Sequence, residues 1–388
     1  EPFAAPKRLA VAIAAMLLWT AALTSRRRAT TWRDRVFALV CVAWIASFAA
    51  SALLGEHSSR AALVLGVAGA AWALAVARAA LPVTVLLRVM LASATGIAVV
   101  ALAQWLGADP LRAAGWTPEL TGGSERLRVY ATLGNPNFVA AWLAMHLPLA
   151  AHVAHDDRPA AGPWAGVVSL VVLLAAVAST GSRGGALGAA AGLAGWALMS
   201  RVVRPARAVA AAAVLLGLLA WVSPARVLPE TAAGRFYILM VAWPHAMDRP
   251  ATGLGPGTFE RHYPAWEQAG RRERRLPATL VHRFAGPQQH AHNDYVQALL
   301  ERGVPGAVTF LLAIATPLLI GRRRSRSGPT TSTSTGARAV LAALAGVIVA
   351  IAATALVDFP FQRPAEAFTF WTAAALLAAG HTPHEDHS

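Results

Sequence analysis

Charge is scarce in this chain. Only 14% of its 388 residues are Asp, Glu, Lys or Arg, while 56% are hydrophobic and the mean hydropathy is +0.49; soluble globular proteins carry about 25% charged residues. An ordinary soluble enzyme is therefore excluded. A disordered chain is excluded as well, because there is ample apolar material to bury. Acidic residues are scarcest, 19 against 34 Lys and Arg, and none lies near the middle of an apolar run. Carriers coupled to protons or cations hold ionisable groups at membrane depth, so this absence argues against a secondary transporter. The single cysteine, Cys41, has no partner for an intramolecular disulfide and sits in an apolar run, where a thiol serves as packing. No P-loop is present, so chemistry driven by cytoplasmic ATP has no visible site.

What is present are long apolar runs. A membrane-spanning helix needs about 20 mostly apolar residues. About eleven such spans can be read, at 9–24, 36–54, 61–81, 85–106, 137–153, 164–180, 184–200, 208–223, 303–320, 339–357 and 365–380. The expected fold is a single all-α integral membrane domain over 1–388. Its Ala/Gly-rich spans, such as Gly185–Trp196, are expected to face other helices, because small residues let backbones approach closely. The net charge of +15 is distributed in short clusters between spans, as in membrane loops, and nucleic acid is not an expected partner. Segments 25–35, 201–207 and 321–338 are short and rich in arginine, and alternation places all three on one side, the cytoplasmic one. Lys7 and Arg8 then fall on the wrong side. A further span upstream, giving twelve, would resolve the conflict; snorkelling of both residues is the alternative.

The outer side carries one long loop, 224–302, rich in arginine and histidine. Loops of this length are seldom kept without a function. Within it, Ala233–Met247 is expected to form an amphipathic helix on the membrane surface, with Phe236, Leu239, Met240 and Trp243 on one side. Leu254–Phe259 reads as a Gly/Pro turn, and a helix is expected to enter the next span from near Asn293 or Asp294, either of which suits a cap. A basic pocket fed from the bilayer suits an anionic lipid. Guanidinium groups bind phosphate in bidentate fashion and stabilise a departing diphosphate, and a neutral histidine accepts a proton from an attacking hydroxyl. Cation clamp and histidine base together make a transferase site that needs no ATP.

Four blocks carry a resemblance to a known family: Tyr130–Asn137 (YATLGNPN), Ser179–Gly185 (STGSRGG), Gly234–Phe259 (GRFYILMVAW, then GLGPGTF) and His290–Gly306 (HAHNDYVQALLERGVPG). In these blocks and their order the chain resembles the O-antigen ligase/O-antigen polymerase superfamily of bacterial membrane glycosyltransferases. The most specific feature is His292-Asn293, nine residues, then Gly303-Val304-Pro305-Gly306. The likeness covers roughly residues 125–365. It implies a GT-C-like helical enzyme of the inner membrane, its site facing the periplasm. Such an enzyme moves a glycan from a polyprenyl diphosphate carrier to an acceptor hydroxyl, with no metal and no cofactor. By motif position, Arg183 and Arg235 resemble the diphosphate-binding arginines and His292 the catalytic histidine.

Other residues have secondary roles in this reading. His290 is expected to orient the carrier phosphate or the acceptor. A metal triad of His290, His292 and Asp294 is disfavoured, because a helix starting near 292 breaks the two-residue period. Asp294 is open to two roles, orienting a histidine or capping the helix. Asn293 and Asn135 stand beside turns, and the Gly134–Asn137 turn is read as a helix start more than as a sugar contact. Arg261 is a weaker candidate for supporting the site. Asp358 and Arg363 are expected to pair at a span end without chemistry. The motif set favours a ligase with a lipid A-core acceptor. A polymerase of the same superfamily, a transfer to protein and a polyprenyl-glycan transporter are the alternatives.

Overall fold

The computed structural model describes residues 31–79, 81, 83–115, 129–155, 163–201, 204, 206–207, 211–215, 217, 228–327 and 332–379. Among these residues there is no strand, and the protein is an all-α membrane protein. The helices are α1 (Trp32–Leu54), α2 (Arg60–Arg78), α3 (Val83–Trp105), α4 (Pro110–Ala113), α5 (Pro136–His155), α6 (Pro163–Thr180), α7 (Arg183–Ser200), α8 (Leu228–Ala242), α9 (Phe259–Arg272), α10 (Ala278–Phe284), α11 (Asp294–Ser327), α12 (Ser332–Thr354) and α13 (Pro364–Ala379). Of these, α1, α2, α3, α5, α11 and α12 are long and apolar enough to cross a membrane. The expected spans at 164–180, 184–200 and 365–380 are the helices α6, α7 and α13. The span expected at 9–24 lies outside the described residues, and of 208–223 only 211–215 and 217 are described, as helix.

α7 is enclosed by neighbours rather than by lipid, and its glycines show why. A Cβ on Gly185 would stand 2.3 Å from the Ala140 methyl of α5, one on Gly188 2.3 Å from Thr354 Oγ1 of α12, and one on Gly192 2.8 Å from the Ala350 methyl. This stripe seats α7 directly on α5 and α12, as its small residues led one to expect. α5 and α12 are the most enclosed of the long spans, whereas α2 and α3 turn most of their surface outward. A second body of packing joins α1, α2, α11, α12 and α13 around Trp44, Phe310, Phe361, Phe370 and Trp371, whose rings meet mainly edge to face.

The long loop folds on a core of its own. Tyr237, Ile238 and Val241 of α8 pack with Phe259, Tyr263 and Trp266 of α9 and with Leu276. The Tyr237 hydroxyl donates to Glu267 at 2.6 Å, and the Trp266 ring is stacked between His245 and His262. The surface helix differs from expectation in detail. α8 begins at Leu228, and a turn of 3₁₀ helix carries it to His245. Phe236 and Trp243 are exposed together with Met247, while Met240 leans onto the loop core.

α11 explains the spacing of the most specific motif. The helix starts at Asp294 and breaks at Gly303, which has φ 65° and ψ −165°. The break frees the Leu300 carbonyl, and Pro305 has no N–H to offer the Glu301 carbonyl. The turn at 250–257 takes both: Leu254 N donates to Leu300 O (3.0 Å), Gly255 N to Glu301 O (2.9 Å), and Val304 N returns a bond to Pro250 O (2.7 Å). Ser51 Oγ of α1 also donates to Glu301 O at 2.6 Å. The turn is thus a wedge seated in a helix break. Only glycine suits residue 255, with φ 119° and a virtual Cβ 1.5 Å from His57 O.

Next to the break, Arg302 is buried against the rings of Trp44 (4.4 Å) and Phe48 (4.2 Å) and donates to Ser47 Oγ at 3.1 Å. Gly303→Ala would place a methyl 2.5 Å from Pro250 O in a conformation that side chains avoid. The backbone strain alone is about 1–3 kcal/mol. The variant is expected to lose thermal stability in detergent and to become cleavable by protease at 250–257; an unchanged melting temperature would contradict the wedge.

Candidate functional site

The segment just before α11 and the segment just after α12 are laced together. Asn293 caps α11: its Oδ1 accepts from the N–H groups of Tyr295 and Val296, both at 3.0 Å. Its Nδ2 donates to Leu356 O at 3.0 Å, and Asp294 N donates to Ala355 O at 2.9 Å. Asn293, not Asp294, is therefore the cap. Asp294 takes neither of the roles expected for it. Its carboxylate accepts from Phe361 N (2.9 Å) and Gln362 Nε2 (3.4 Å), holding the 3₁₀ turn Pro360–Gln362. Turned that way, it does not converge with His290 and His292 into a metal triad.

This lacing sets His292 beside Asp358. His292 Nδ1 lies 3.8 Å from Asp358 Oδ1, just outside hydrogen-bonding range, and is buried with no hydrogen bond to the described residues. The residue holds φ 50°, a left-handed conformation that a non-glycine side chain adopts at a cost. Asp358 Oδ2 accepts from Arg363 Nη1 at 3.3 Å, and Arg363 Nε lies 2.7 Å from Glu366 Oε1. The Arg363 guanidinium lies over the rings of Phe138 (4.3 Å) and Phe359 (5.3 Å). Phe359 in turn stacks on His290 at 4.2 Å and meets His292 edge-on at 5.0 Å.

Two further arginines reach this place from other helices. Arg183 is the first residue of α7, behind a left-handed Gly181 and a Ser182 side chain that caps Gly185 N at 3.3 Å. Gly184 lets that helix start approach α12: a Cβ there would lie 3.4 Å from Val357 and 3.9 Å from the Asp358 Cβ. Arg235 stands on α8. Burial lowers its pKa, Asp358 opposes this, and the positive charges of Arg183 and Arg363 lower it further. Burial likewise pushes His292 down to about 4, helped by Arg235 and Arg363 and opposed by Asp358. His290 is pushed down to about 4, first by burial and then by His292 and Arg363.

The structure thus brings Arg183, Arg235, His290 and His292 into one electrostatic neighbourhood, with Asp358 at its centre. Asn135 caps α5 by accepting from Asn137 N at 2.9 Å, which fits the helix-start reading of its turn. Arg261 is exposed on α9, where it acts on His262 and not on His292 or Arg235. Asp358 and Arg363 do pair, as expected, but as members of the cluster rather than as a bystander pair. The signal was there in the sequence: in a chain short of acids, one carboxylate stands in a short loop on the same side as the arginines.

An O-antigen ligase family model matches residues 168–311. Over that stretch the chain is similar to the O-antigen ligases. No curated protein matches the chain. The matched stretch runs from within α6 to within α11 and contains Arg183, Arg235, His290 and His292. Asp358, Arg363 and Phe359 come from beyond its C-terminal end, so the helices that follow complete the neighbourhood. The match and the long apolar helices together support a multi-pass membrane protein similar, over that stretch, to the O-antigen ligases.

Proposed function

We propose that the protein is an O-antigen ligase that transfers a glycan from polyprenyl diphosphate to a sugar hydroxyl of lipid A-core, at the periplasmic face of the inner membrane. The observation that carries this reading is the convergence of Arg183, Arg235 and Arg363 with an uncharged His292 around a single aspartate. Such a place attracts a multiply charged anion and offers a base next to it. The opposite end of the bundle supports the orientation. There the basic start of α1 meets the basic end of α11, Arg324 lying 3.9 Å from Asp34, and arginine clusters of this kind stay cytoplasmic.

In the proposed reaction, His292 Nε2 takes the proton of the acceptor hydroxyl while Nδ1–H faces Asp358. The freed oxygen attacks the anomeric carbon from the side opposite the diphosphate. The bond from that carbon to the phosphate oxygen breaks, inverting the anomeric centre, and polyprenyl diphosphate leaves. Arg183 and Arg235 meet the charge on the departing oxygen, a task for which other transferases use a divalent cation. The loop helix α8 and the 3₁₀ turn after it present Phe236, next to Arg235 in the chain, and Trp243 outward, a surface suited to a lipid arriving sideways from the bilayer.

A pH profile tests the base. In the free enzyme His292 stays neutral down to about pH 4, well below the ordinary histidine value of 6.5. The diphosphate of a bound carrier offsets the positive charge of Arg235, so the pKa of His292 rises on binding. The acid limb of kcat/KM is therefore expected well below pH 6, and that of kcat at higher pH than that of kcat/KM. An acid limb of kcat/KM at the ordinary histidine value would contradict the buried, cation-flanked base. For the reaction as a whole, a strain lacking the protein is expected to keep long carrier-linked chains while its core carries none. Core capped by a single repeat would indicate a polymerase instead, and core with normal chains would overturn the reading.

A further inference from the structure

His290 faces the same cluster, and its own surroundings fix more than its position. Gln297 lies one turn into α11 and its amide touches three groups. Its Oε1 accepts from Ala291 N at 3.1 Å, and its Nε2 lies 3.0 Å from Glu301 Oε1 and 3.2 Å from His290 Nδ1. The amide has one orientation compatible with these neighbours. Turned over, its NH₂ would oppose a backbone N–H and its oxygen a carboxylate oxygen. Glu301 is itself pinned by Gly257 N (2.8 Å) of the wedge turn and by Phe259 N (3.4 Å) at the start of α9. One amide hydrogen of Gln297 therefore goes to Glu301, and the other meets His290 Nδ1, which has to present a lone pair. The imidazole is then neutral with its proton on Nε2. That atom has no hydrogen bond to the described residues and is not among the buried unpartnered atoms.

We infer that His290 is a neutral hydrogen-bond donor of fixed tautomer, held by Gln297 and Glu301 so that Nε2–H meets a phosphate oxygen of the carrier diphosphate. The inference rests on the proposed reading of the site as a diphosphate site. Gln297 and Glu301 are positioning residues: they connect the wedge turn and the helix break to the orientation of a group in the site. A neutral donor suits this position. The titratable groups acting on His290 are His292, which is itself neutral, Arg363 and Asp358, and Phe359 covers one ring face. Further positive charge would fall beside Arg363, whereas an N–H dipole adds a bond to the anion without that repulsion. The division of labour between the two histidines follows. His290, its Nδ1 occupied, offers a donor, while His292, its Nδ1 facing Asp358, offers an acceptor.

Two measurements test this. The first is nitrogen NMR of the full chain in lipid nanodiscs with labelled histidine, the His290 signals being identified by their loss in His290→Gln. The expected pattern is a bare Nδ1 and a protonated Nε2 that does not change between about pH 5 and pH 8. A proton on Nδ1, or titration within that window, would overturn the inference while leaving the proposed transfer standing. The second is binding of farnesyl diphosphate as probe. His290→Gln sets an amide N–H near the place of Nε2 and is expected to keep most of the affinity, whereas His290→Phe keeps the ring but no donor. It is expected to lose about 10–100-fold, the worth of a hydrogen bond to a charged group. Equal loss in both variants would reduce His290 to a packing residue and overturn the inference. If the NMR pattern holds but the wild-type chain does not bind farnesyl diphosphate, the diphosphate reading falls, and the phosphate falls with it as the partner of Nε2–H.

Discussion

His292→Asn is expected to lower glycan transfer by about 10²–10⁴-fold, the range lost with a general base, while the protein stays folded in the membrane. Asparagine is the informative replacement. It tolerates the left-handed backbone at this position better than other side chains do, and it cannot accept a proton at neutral pH. His292→Ala is expected to lose as much activity but also has to hold φ 50° with an ordinary side chain. The loss should fall on kcat, because in the proposed reaction the histidine acts on the acceptor hydroxyl in the transition state and contributes little to holding the carrier. Wild-type rates in His292→Asn, measured on purified protein, would remove the histidine from the chemistry.

The second large effect is expected at the cation clamp. Arg235→Ala and Arg183→Ala should each slow transfer by about 10²–10³-fold, as does loss of one donor to a developing oxyanion elsewhere. Lysine at either position keeps the charge but not the planar two-pronged donor, and partial recovery is expected. The two losses should not add, because in the proposed reaction both groups act on one leaving group, and Arg183 lies within electrostatic reach of Arg235. Arg235→Ala has a further signature. With that positive charge gone the pKa of His292 should rise, moving the acid limb of kcat/KM upward. Arg261→Ala serves as the comparison: it removes a neighbouring loop arginine that is exposed and acts on His262, and it should leave transfer near the wild-type rate.

Much of this arrangement is legible in the sequence, for identifiable reasons. Long apolar runs fix the spans because a helix in lipid satisfies its own backbone groups. The glycine stripe of α7 announces close helix contact for a similarly simple reason. Arg183, Arg235 and His292 can be picked out by motif position through the family resemblance; in a loop rich in arginine, composition alone does not single out Arg235. What the sequence hides is the cross-chain lacing. Asp294 looks like a cap or a histidine partner by its position next to Asn293. Only the fold shows its carboxylate turned to the 3₁₀ turn at Phe361 and Gln362. Asp358 stands 66 residues beyond His292 in the chain and meets it only because Asn293 and Asp294 bond the backbone at Leu356 and Ala355. Gln297 and Glu301 look like the polar face of a helix, and their service to His290 and to the wedge turn is a property of the break at Gly303. Met240, expected outside with Phe236 and Trp243, is drawn inward because the long loop has a core of its own.

The central claim is that a cluster of guanidinium groups and one imidazole moves a glycan off a lipid diphosphate. Purified protein mixed with a polyprenyl-diphosphate-linked glycan and a lipid A-core acceptor, in the presence of EDTA and without nucleotide, tests it most directly when the product mass is read. The account predicts core enlarged by the glycan, released polyprenyl diphosphate in equal amount, and neither product with His292→Asn. Unaltered core from active wild-type membranes, or transfer that stops with EDTA and returns with one divalent ion, would contradict it.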